Sequence, residues 1–182
     1  SFSAWPLIDY VAEYGTARPE LSLDVLKTLT SLFSAEFAIR TFIDQHFDLT
    51  YPQLLLWAED EDEHVRRLAS EGIRPRLPWG KQLSQFCDDP AAIFPILERL
   101  KDDPSLYVRK SVANNLNDIS KDNSEQVIIL CRSWYDNASA DRLWIIRHAL
   151  RTLIKSGHPE VFPLLGYTPE PQVSLKKIDL DK

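Results

Sequence analysis

Apolar residues recur every three or four positions along almost the whole of this 182-residue chain, and this spacing restricts the fold more than any other feature. Such a period places side chains on one face of an α-helix, whereas the residues of a strand alternate with a period of two. Only five glycines interrupt the pattern. The sequence therefore predicts an all-α protein.

Four short segments share a β-branched residue that directly precedes an arginine and is followed by further apolar residues. These β-branched residues are Ile39, Val65, Val108 and Ile146. An amphipathic stretch precedes each segment, at residues 22–33, 51–58, 91–101 and 124–135. Helix pairs that repeat in this way are typical of a HEAT-like α-solenoid, in which the second helices line one concave surface.

The repeats predict one HEAT-like domain over residues 1–166. An insertion, RPRLPWGKQLSQFCDD at residues 74–89, interrupts it and carries its own short helix. Residues 167–182 are bounded by prolines and alternate in hydropathy, so we interpret them as a linker or the first strand of a further domain, with a frayed tail as the alternative. Because the chain contains no methionine, we expect further sequence before Ser1.

Composition and cysteine usage indicate an ordinary soluble, cytoplasmic protein. No apolar run approaches the roughly 20 residues of a membrane span, and no secretory leader is recognisable. Cys87 and Cys131 lack a CxxC neighbour, which predicts reduced thiols. The histidines lack ligand spacing such as HExxH, so we expect no metal and no other cofactor. We expect a monomer.

The net charge of −6 disfavours nucleic acid as a partner, but its distribution does not. Residues 1–64 contain twelve acidic and three basic residues, whereas residues 65–182 contain fifteen acidic and eighteen basic residues. A locally basic surface binds a polyanion even when the total charge is negative.

The predicted second helices carry polar faces opposite their apolar stripes. These faces comprise Arg67, Ser70, Glu71 and Arg74, then Lys110, Asn114, Asn117, Asp118 and Lys121, then His148, Arg151, Thr152 and Lys155. Stacking predicts a groove with basic edges and two isolated acids, Glu71 and Asp118, on its floor. A simple helical ion pair between Arg67 and Glu71 is the alternative interpretation of that glutamate.

The arginines allow two interpretations. In HEAT-like arrays an arginine after the β-branched residue often pairs with an aspartate of the neighbouring repeat, which we expect for Arg40, Arg66 and Arg147. Other cations lack an obvious acidic partner and are candidates for phosphate contacts: Arg67, Arg74, Arg76 and Lys110. Trp79 is either a core side chain or a rigid aromatic group that contacts a sugar or base.

Three longer motifs, FSAEFAIRTFI, EHVRRLASEGIRPRLPW and YVRKSVANNLNDISKD, closely resemble those of the HEAT-like alkylpurine DNA glycosylases, in particular their AlkC branch. The resemblance covers most of the chain. It implies a monofunctional base-excision enzyme that acts on double-stranded DNA containing alkylated bases without flipping the damaged base into a pocket. It also implies an immunoglobulin-like domain after the repeats, of which residues 167–182 would be the start.

The resemblance implies a catalytic cluster of Glu36, Glu71, Trp79 and Asp118. Together with the polar faces it predicts a DNA-binding set of Arg67, Arg74, Arg76, Arg109, Lys110, His148 and Arg151. The AlkD branch carries a tryptophan where this chain has Thr152, so that contact is not expected here.

The chemistry of an N-glycosidase fits these residue types. As the base departs, the sugar becomes an oxocarbenium-like cation that a nearby carboxylate stabilises, while a second group orients water. We expect Glu71 and Asp118 to converge on one deoxyribose, with support from Glu36.

Because no acid is placed to protonate a leaving base, we expect cationic alkylated bases as substrates, with 3-methyladenine foremost. Lys110 is the nearby candidate for a lyase amine, which we disfavour. The alternative function is a non-catalytic HEAT-repeat scaffold that binds DNA or protein.

Overall fold

The computed structural model describes residues 2–168 and residue 174, and every regular element within them is helical. After a 3₁₀ turn at Phe2–Ala4, the helices are α1 (Trp5–Tyr14), α2 (Pro19–Leu29), α3 (Ile39–Gln45), α4 (Phe47–Trp57), α5 (Glu63–Gly72), α6 (Ser84–Asp88), α7 (Phe94–Leu100), α8 (Leu106–Ile119), α9 (Ser124–Tyr135), α10 (Ala140–Ala149), α11 (Arg151–Lys155) and α12 (Val161–Leu164). The prediction of an all-α protein is confirmed. In this part of the chain none of the helices combines the length and the hydropathy that a bilayer crossing requires.

The helices pack as successive pairs in two layers. Helices α5, α8 and α10 lie side by side, and each also packs against the first helix of its own pair, α4, α7 and α9 respectively. Helix α3 packs in the same way against α2. These pairs coincide with the predicted repeats, so the HEAT-like interpretation is confirmed, as is the short helix α6 within the insertion.

Polar N-cap residues mark the starts of α5, α8 and α10, where turn residues are followed by apolar residues at helical spacing. Asp62 accepts a hydrogen bond from the amide of His64 at the start of α5, and Ser105 accepts one from Tyr107 at the start of α8. Ser139 accepts one from Arg142 at the start of α10. Each cap pairs a backbone donor that the first helical turn leaves free. These caps fix where α5, α8 and α10 begin and therefore which of their side chains face the next repeat, whereas α3 begins without a side-chain cap.

The β-branched residues of the repeat form the contact between the layers. Ile39, Val65, Val108 and Ile146 are all buried in one continuous apolar core. The backbone of α5 packs closely against the side chain of Ile39 in α3, because a Cβ on Gly72 would lie 2.4 Å from Cγ2 of Ile39. Any larger residue at position 72 would push the two second helices apart.

The arginines that follow these residues differ from one repeat to the next. Arg66 pairs with Asp103 of the next repeat, with Nε 2.6 Å from Oδ2, as predicted. For Arg40 the prediction is wrong, because its guanidinium donates to backbone carbonyls rather than to an aspartate. Arg147 is exposed, and no acidic side chain among the described residues pairs with it. Asp141 instead pairs with Arg109, which also donates to the carbonyls of residues 103 and 104.

Two further predictions concern the thiols and the end of the chain. Cys87 and Cys131 are both free thiols, and burial raises the pKa of Cys131 to about 12, which makes this thiol unreactive. The prediction of a linker or strand at residues 167–182 falls almost entirely on residues outside those that the structure describes.

Candidate active site

Three carboxylates and three cations alternate in a row that crosses the repeats. In order they are Glu36, Arg67, Glu71, Arg74, Asp118 and Lys121, and we call them the charge ladder. Glu36 lies in the turn before α3, Glu71 in the last turn of α5, and Asp118 in the last turn of α8. The predicted catalytic carboxylates therefore come together, although they belong to three successive repeats.

Glu71 is 5% exposed and its two oxygens face different partners. Oε1 accepts from Nη1 of Arg74 at 2.5 Å and lies 3.5 Å from Nη2 of Arg67. Oε2 accepts from the hydroxyl of Ser111 on α8, at 2.5 Å. Ser111 also lies 2.9 Å from the hydroxyl of Ser70, so the glutamate is fixed from two adjacent helices.

Asp118 is 3% exposed and is held equally firmly. Its Oδ2 accepts from Nε of Arg74 at 2.8 Å and lies 2.7 Å from Nη2 of the same guanidinium, and its Oδ1 accepts from Lys121 at 2.8 Å. One guanidinium thus links Asp118 to Glu71. Planar guanidinium groups suit such bridging because their donors point in fixed directions.

Glu36 occupies the more open end of the ladder. Its Oε2 accepts from Arg67 and from the hydroxyl of Ser34, whereas none of the described residues donates to Oε1. The Arg67 guanidinium lies 4.7 Å from the centre of the Tyr107 ring, a cation–π contact. Burial alone would lower the pKa of Arg67, but the nearby Glu71 and Glu36 outweigh burial and raise it. Arg67 therefore stays charged between the two glutamates.

These contacts correct the predictions that Glu71 and Asp118 are isolated and that the nearby arginines lack acidic partners. Arg67 and Arg74 pair within the ladder, and Arg76 makes a bidentate pair with Asp122, with both distances 2.7 Å. Most of these partners lie on neighbouring repeats, 31 to 46 residues away in the sequence. The simple Arg67–Glu71 pair also exists, at the longer distance of 3.5 Å.

The predicted groove floor is largely a buried seam between α5 and α8. Ser70, Glu71, Asn115 and Asp118 are all buried, and the amide of Asn115 donates to the carbonyl of Ser70 at 2.8 Å. A small polar residue such as Ser111 inside an apolar stripe is the one sequence signal that indicates this seam. Nothing in the sequence indicates that Ser34 or Tyr107 belongs to the site.

Trp79 is not a core residue, since its side chain is 99% exposed. It lies in the loop between α5 and α6 with φ at 60°, a left-handed conformation that residues other than glycine rarely adopt. The loop leaves α5 directly after Glu71 and also carries Arg74 and Arg76. The structure therefore brings an exposed tryptophan onto the segment that completes the charge ladder.

A second polar cluster lies between α8 and the end of α10. Nη2 of Arg151 donates to the side-chain oxygen of Asn114 at 3.1 Å, and Nε2 of His148 lies 3.3 Å from the same oxygen. The His148 ring stacks on Trp144, with the ring centres 4.9 Å apart. Burial lowers the pKa of His148, and the nearby Arg151 and Lys110 lower it further. Lys110 is exposed, and no described acid pairs with it.

The structure thus divides the predicted DNA-binding residues into two groups. Lys110, His148 and Arg151 stand in a cluster without a carboxylate, whereas Arg67, Arg74, Arg76 and Arg109 are engaged in ion pairs with the protein's own acids. Within the described part of the chain, no three His, Cys, Asp or Glu side chains are grouped so as to hold a metal ion.

Comparison with known proteins gives three matches. A family model described as "DNA alkylation repair enzyme" matches residues 27–153. YhaZ of Bacillus subtilis (strain 168), described as an uncharacterized protein, is 49% identical over 159 residues, which are 87% of this chain and 44% of that protein. The structure of Pseudomonas fluorescens alkylpurine DNA glycosylase AlkC, bound to DNA containing an abasic site analog, matches with a TM-score of 0.86 and 48% identity. That match covers 90% of this chain and 46% of that one, so the chain spans less than half the length of these relatives.

Proposed function

The chain belongs to the DNA alkylation repair enzyme family, and we propose that it is a monofunctional DNA glycosylase that hydrolyses the N-glycosidic bond of cationic alkylated bases in duplex DNA. The observation that carries this proposal is the meeting of Glu36, Glu71 and Asp118, with an exposed tryptophan on the loop that carries Arg74. The similarity to an AlkC structure bound to DNA supports it.

The charge ladder supplies what the chemistry needs. Bond cleavage creates positive charge on the sugar, and carboxylates that are already fixed in place stabilise it without having to reorient. Arg74, Ser111 and Lys121 hold Glu71 and Asp118 from several sides. We assign to these two acids the stabilisation of the sugar cation.

Glu36 is the acid best suited to act on water. Its Oε1 accepts from none of the described residues, so it has the capacity to take a hydrogen bond from a nucleophilic water molecule. Each oxygen of Glu71 and Asp118, in contrast, already accepts from at least one of the donors named above. We therefore assign to Glu36 the orientation and deprotonation of water.

DNA contacts complete the proposal. The exposed face of Trp79 suits contact with a sugar or base, and Lys110, His148 and Arg151 suit contact with phosphates. Because all three acids act on the sugar side, the damaged base need not leave the helix, which is consistent with hydrolysis without base flipping. A lyase needs an unpaired amine beside the sugar. Lys121 is paired with Asp118, and Lys110, the candidate amine from the sequence, lies near His148 in the second polar cluster, so we disfavour such a mechanism.

The deciding experiment measures base release directly. Duplex DNA treated with a methylating agent is incubated with the protein, abasic sites are cleaved with alkali, and free bases are identified by chromatography. The control is the Glu71→Gln/Asp118→Asn double variant, which corrects for spontaneous loss of methylated purines. Base release above this control supports the proposal. Binding of the DNA without release supports the non-catalytic scaffold instead.

A further inference from the structure

The loop that carries Trp79 is held at both ends by one buried side chain. Arg40 of α3 is 1% exposed. Its Nη1 donates to the carbonyls of Gly72 at 2.9 Å and Arg74 at 2.7 Å, where the loop begins. Its Nε donates to the carbonyl of Lys81 at 2.7 Å, where the loop ends. A single guanidinium therefore joins the two ends of residues 72–81.

Arg40 binds different partners from the arginine at the same position of the next repeat. At the equivalent position of the next repeat, Arg66 makes a bidentate pair with Asp103. Arg40 has no such partner among the described residues, although burying its charge is unfavourable. Burial and the nearby Arg74 lower the pKa of Arg40 to about 10. Three carbonyl groups compensate in part for this burial: that of Gly72, where α5 ends, and those of Arg74 and Lys81 in the loop.

The loop needs such support because of what it presents. Trp79 has a left-handed backbone conformation, and its indole makes almost no contact with the fold. Packing of the tryptophan therefore does not hold the loop in place. The hydrogen bonds within the loop are local, from Gly80 to Leu77 and from Leu83 to Pro75. Two side-chain contacts tie these turns to the repeat before them: Arg40 from beneath the loop, and the more exposed pair of Lys81 with Asp44 of α3, with Nζ 2.6 Å from Oδ2.

We propose that Arg40 is a positioning residue for base excision, which fixes both ends of the loop and thereby sets where Trp79 meets the DNA. The inference rests on the proposed function. Arg40 itself does not reach the substrate, since it is 1% exposed beneath the loop.

The test compares Arg40→Lys with Arg66→Lys, a matched change at the equivalent repeat position. An ammonium group cannot reach three carbonyls as a planar guanidinium does. We expect Arg40→Lys to slow single-turnover excision by roughly tenfold or more, because small displacements of a positioning group have effects of this size. DNA affinity at fixed salt should change by less than about threefold, since no phosphate contact is removed. Arg66→Lys should keep the wild-type rate.

A double variant separates positioning from general weakening of the fold. In a Trp79→Ala background, Arg40→Lys should have little further effect on the rate, because the group that it positions is already absent. If Arg40→Lys slows this background as much as the wild type, the proposal is overturned. If Arg40→Lys does not fold, the neutral Arg40→Gln, which retains two amide donors, replaces it.

Hydrogen–deuterium exchange of residues 73–83 gives a readout that does not depend on activity. Exchange should accelerate in this loop in Arg40→Lys but not in Arg66→Lys. Unchanged exchange would overturn the proposal even if the rate falls. A wild-type protein that releases no base would contradict the proposed function, and the exchange data would still decide whether Arg40 holds the loop.

Discussion

Arg74 donates a hydrogen bond from Nε to Oδ2 of Asp118 at 2.8 Å, across 44 positions of sequence, and its Nη2 lies 2.7 Å from the same oxygen. Its remaining terminal nitrogen binds Glu71 at 2.5 Å. A cation buried between two acids adds little to the free energy of unfolding, because the cost of desolvating the charged groups offsets much of their attraction. The arrangement does fix the distance between the two carboxylates, which is the property that electrostatic catalysis requires.

The first prediction concerns these two acids. Glu71→Gln and Asp118→Asn should each reduce the single-turnover rate of base release by roughly a hundredfold, the effect of removing one fixed electrostatic group. Each change also weakens buried ion pairs, so we expect the free energy of unfolding to fall by about 1–3 kcal/mol. The measurements are quench-flow or manual time courses together with urea titrations of both variants.

A matched control distinguishes catalysis from folding. Asp103 is also a buried, arginine-bound acid, but it lies outside the charge ladder. Asp103→Asn should lower the free energy of unfolding by a similar amount and leave the rate of base release intact. If the rates fall equally in all three variants, the loss follows stability and the catalytic assignment is wrong.

The second prediction concerns Trp79 and its backbone. Replacement by glycine removes the unfavourable left-handed conformation, worth about 1–2 kcal/mol, but gives the unfolded chain more freedom, worth about 0.4–1 kcal/mol. We therefore expect Trp79→Gly to leave the free energy of unfolding unchanged or slightly higher, while base release slows. Thermal unfolding and rate measurements test both parts.

Asn137 provides the control for this change, since it is the other described non-glycine residue with positive φ, at 56°. It lies between α9 and α10, away from the charge ladder. Asn137→Gly should leave the rate of base release at the wild-type value. A large drop in stability in Trp79→Gly would mean that the indole packs against the fold, contrary to its exposure.

The third prediction concerns phosphate contacts and salt. Lys110 is exposed and unpaired among the described residues, so it is free to neutralise a phosphate. Lys110→Ala should lower the slope of log affinity against log salt by about one unit, irrespective of DNA sequence. The control is Arg132, which lies on the first helix α9 and pairs with Glu160. Arg132→Ala should leave the slope unchanged. Equal slopes for wild type and Lys110→Ala would exclude Lys110 from the DNA contact.

The fourth prediction concerns pH. The pKa of His148 is lowered by burial and by Arg151 and Lys110, so the folded free protein binds fewer protons here than the unfolded chain. This contribution to stability is complete above the unfolded pKa of about 6.5 and decreases as pH falls towards the lowered folded value. A bound phosphate reverses the effect of the neighbouring cations and favours the charged ring, so DNA binding takes up a proton. DNA affinity should therefore rise from pH 7.5 to 5.5 more steeply in wild type than in His148→Gln. Parallel pH profiles would contradict this coupling.

The repeats could be predicted from the sequence, but most of the ion pairs between them could not. Helix pairs follow from local spacing, and the cap at Ser105 follows from a turn residue before an apolar period. The partners of Arg74 depend on how α5 and α8 stack, which no local pattern encodes. The same holds for Arg40, whose partners are carbonyl groups that every residue possesses. Burial of the polar face on α5 also follows from stacking, since a helical wheel shows which side chains share a face but not what covers them.

The last prediction concerns the leaving base. Glu36, Glu71 and Asp118 are paired with Arg67, Arg74 and Lys121, and a carboxylate in such a pair acts as an acceptor rather than as an acid. A neutral base such as uracil leaves as an anion unless an acid protonates it. A cationic base such as 3-methyladenine leaves as a neutral molecule and needs no acid. Transition-state stabilisation on the sugar side is then sufficient.

We therefore expect release of 3-methyladenine and other cationic N-alkylated bases, and no measurable release of uracil or undamaged bases. This selectivity is measured by incubating matched duplexes that contain each base and then cleaving abasic sites with alkali. A uracil-specific glycosylase serves as the control that the uracil duplex is a competent substrate. The pH profile gives an independent check, because a reaction without a leaving-group acid should not lose rate as pH rises from 6 to 8. Robust uracil release would show that a proton donor operates at this site and that the assignment of all three carboxylates to the sugar side is wrong.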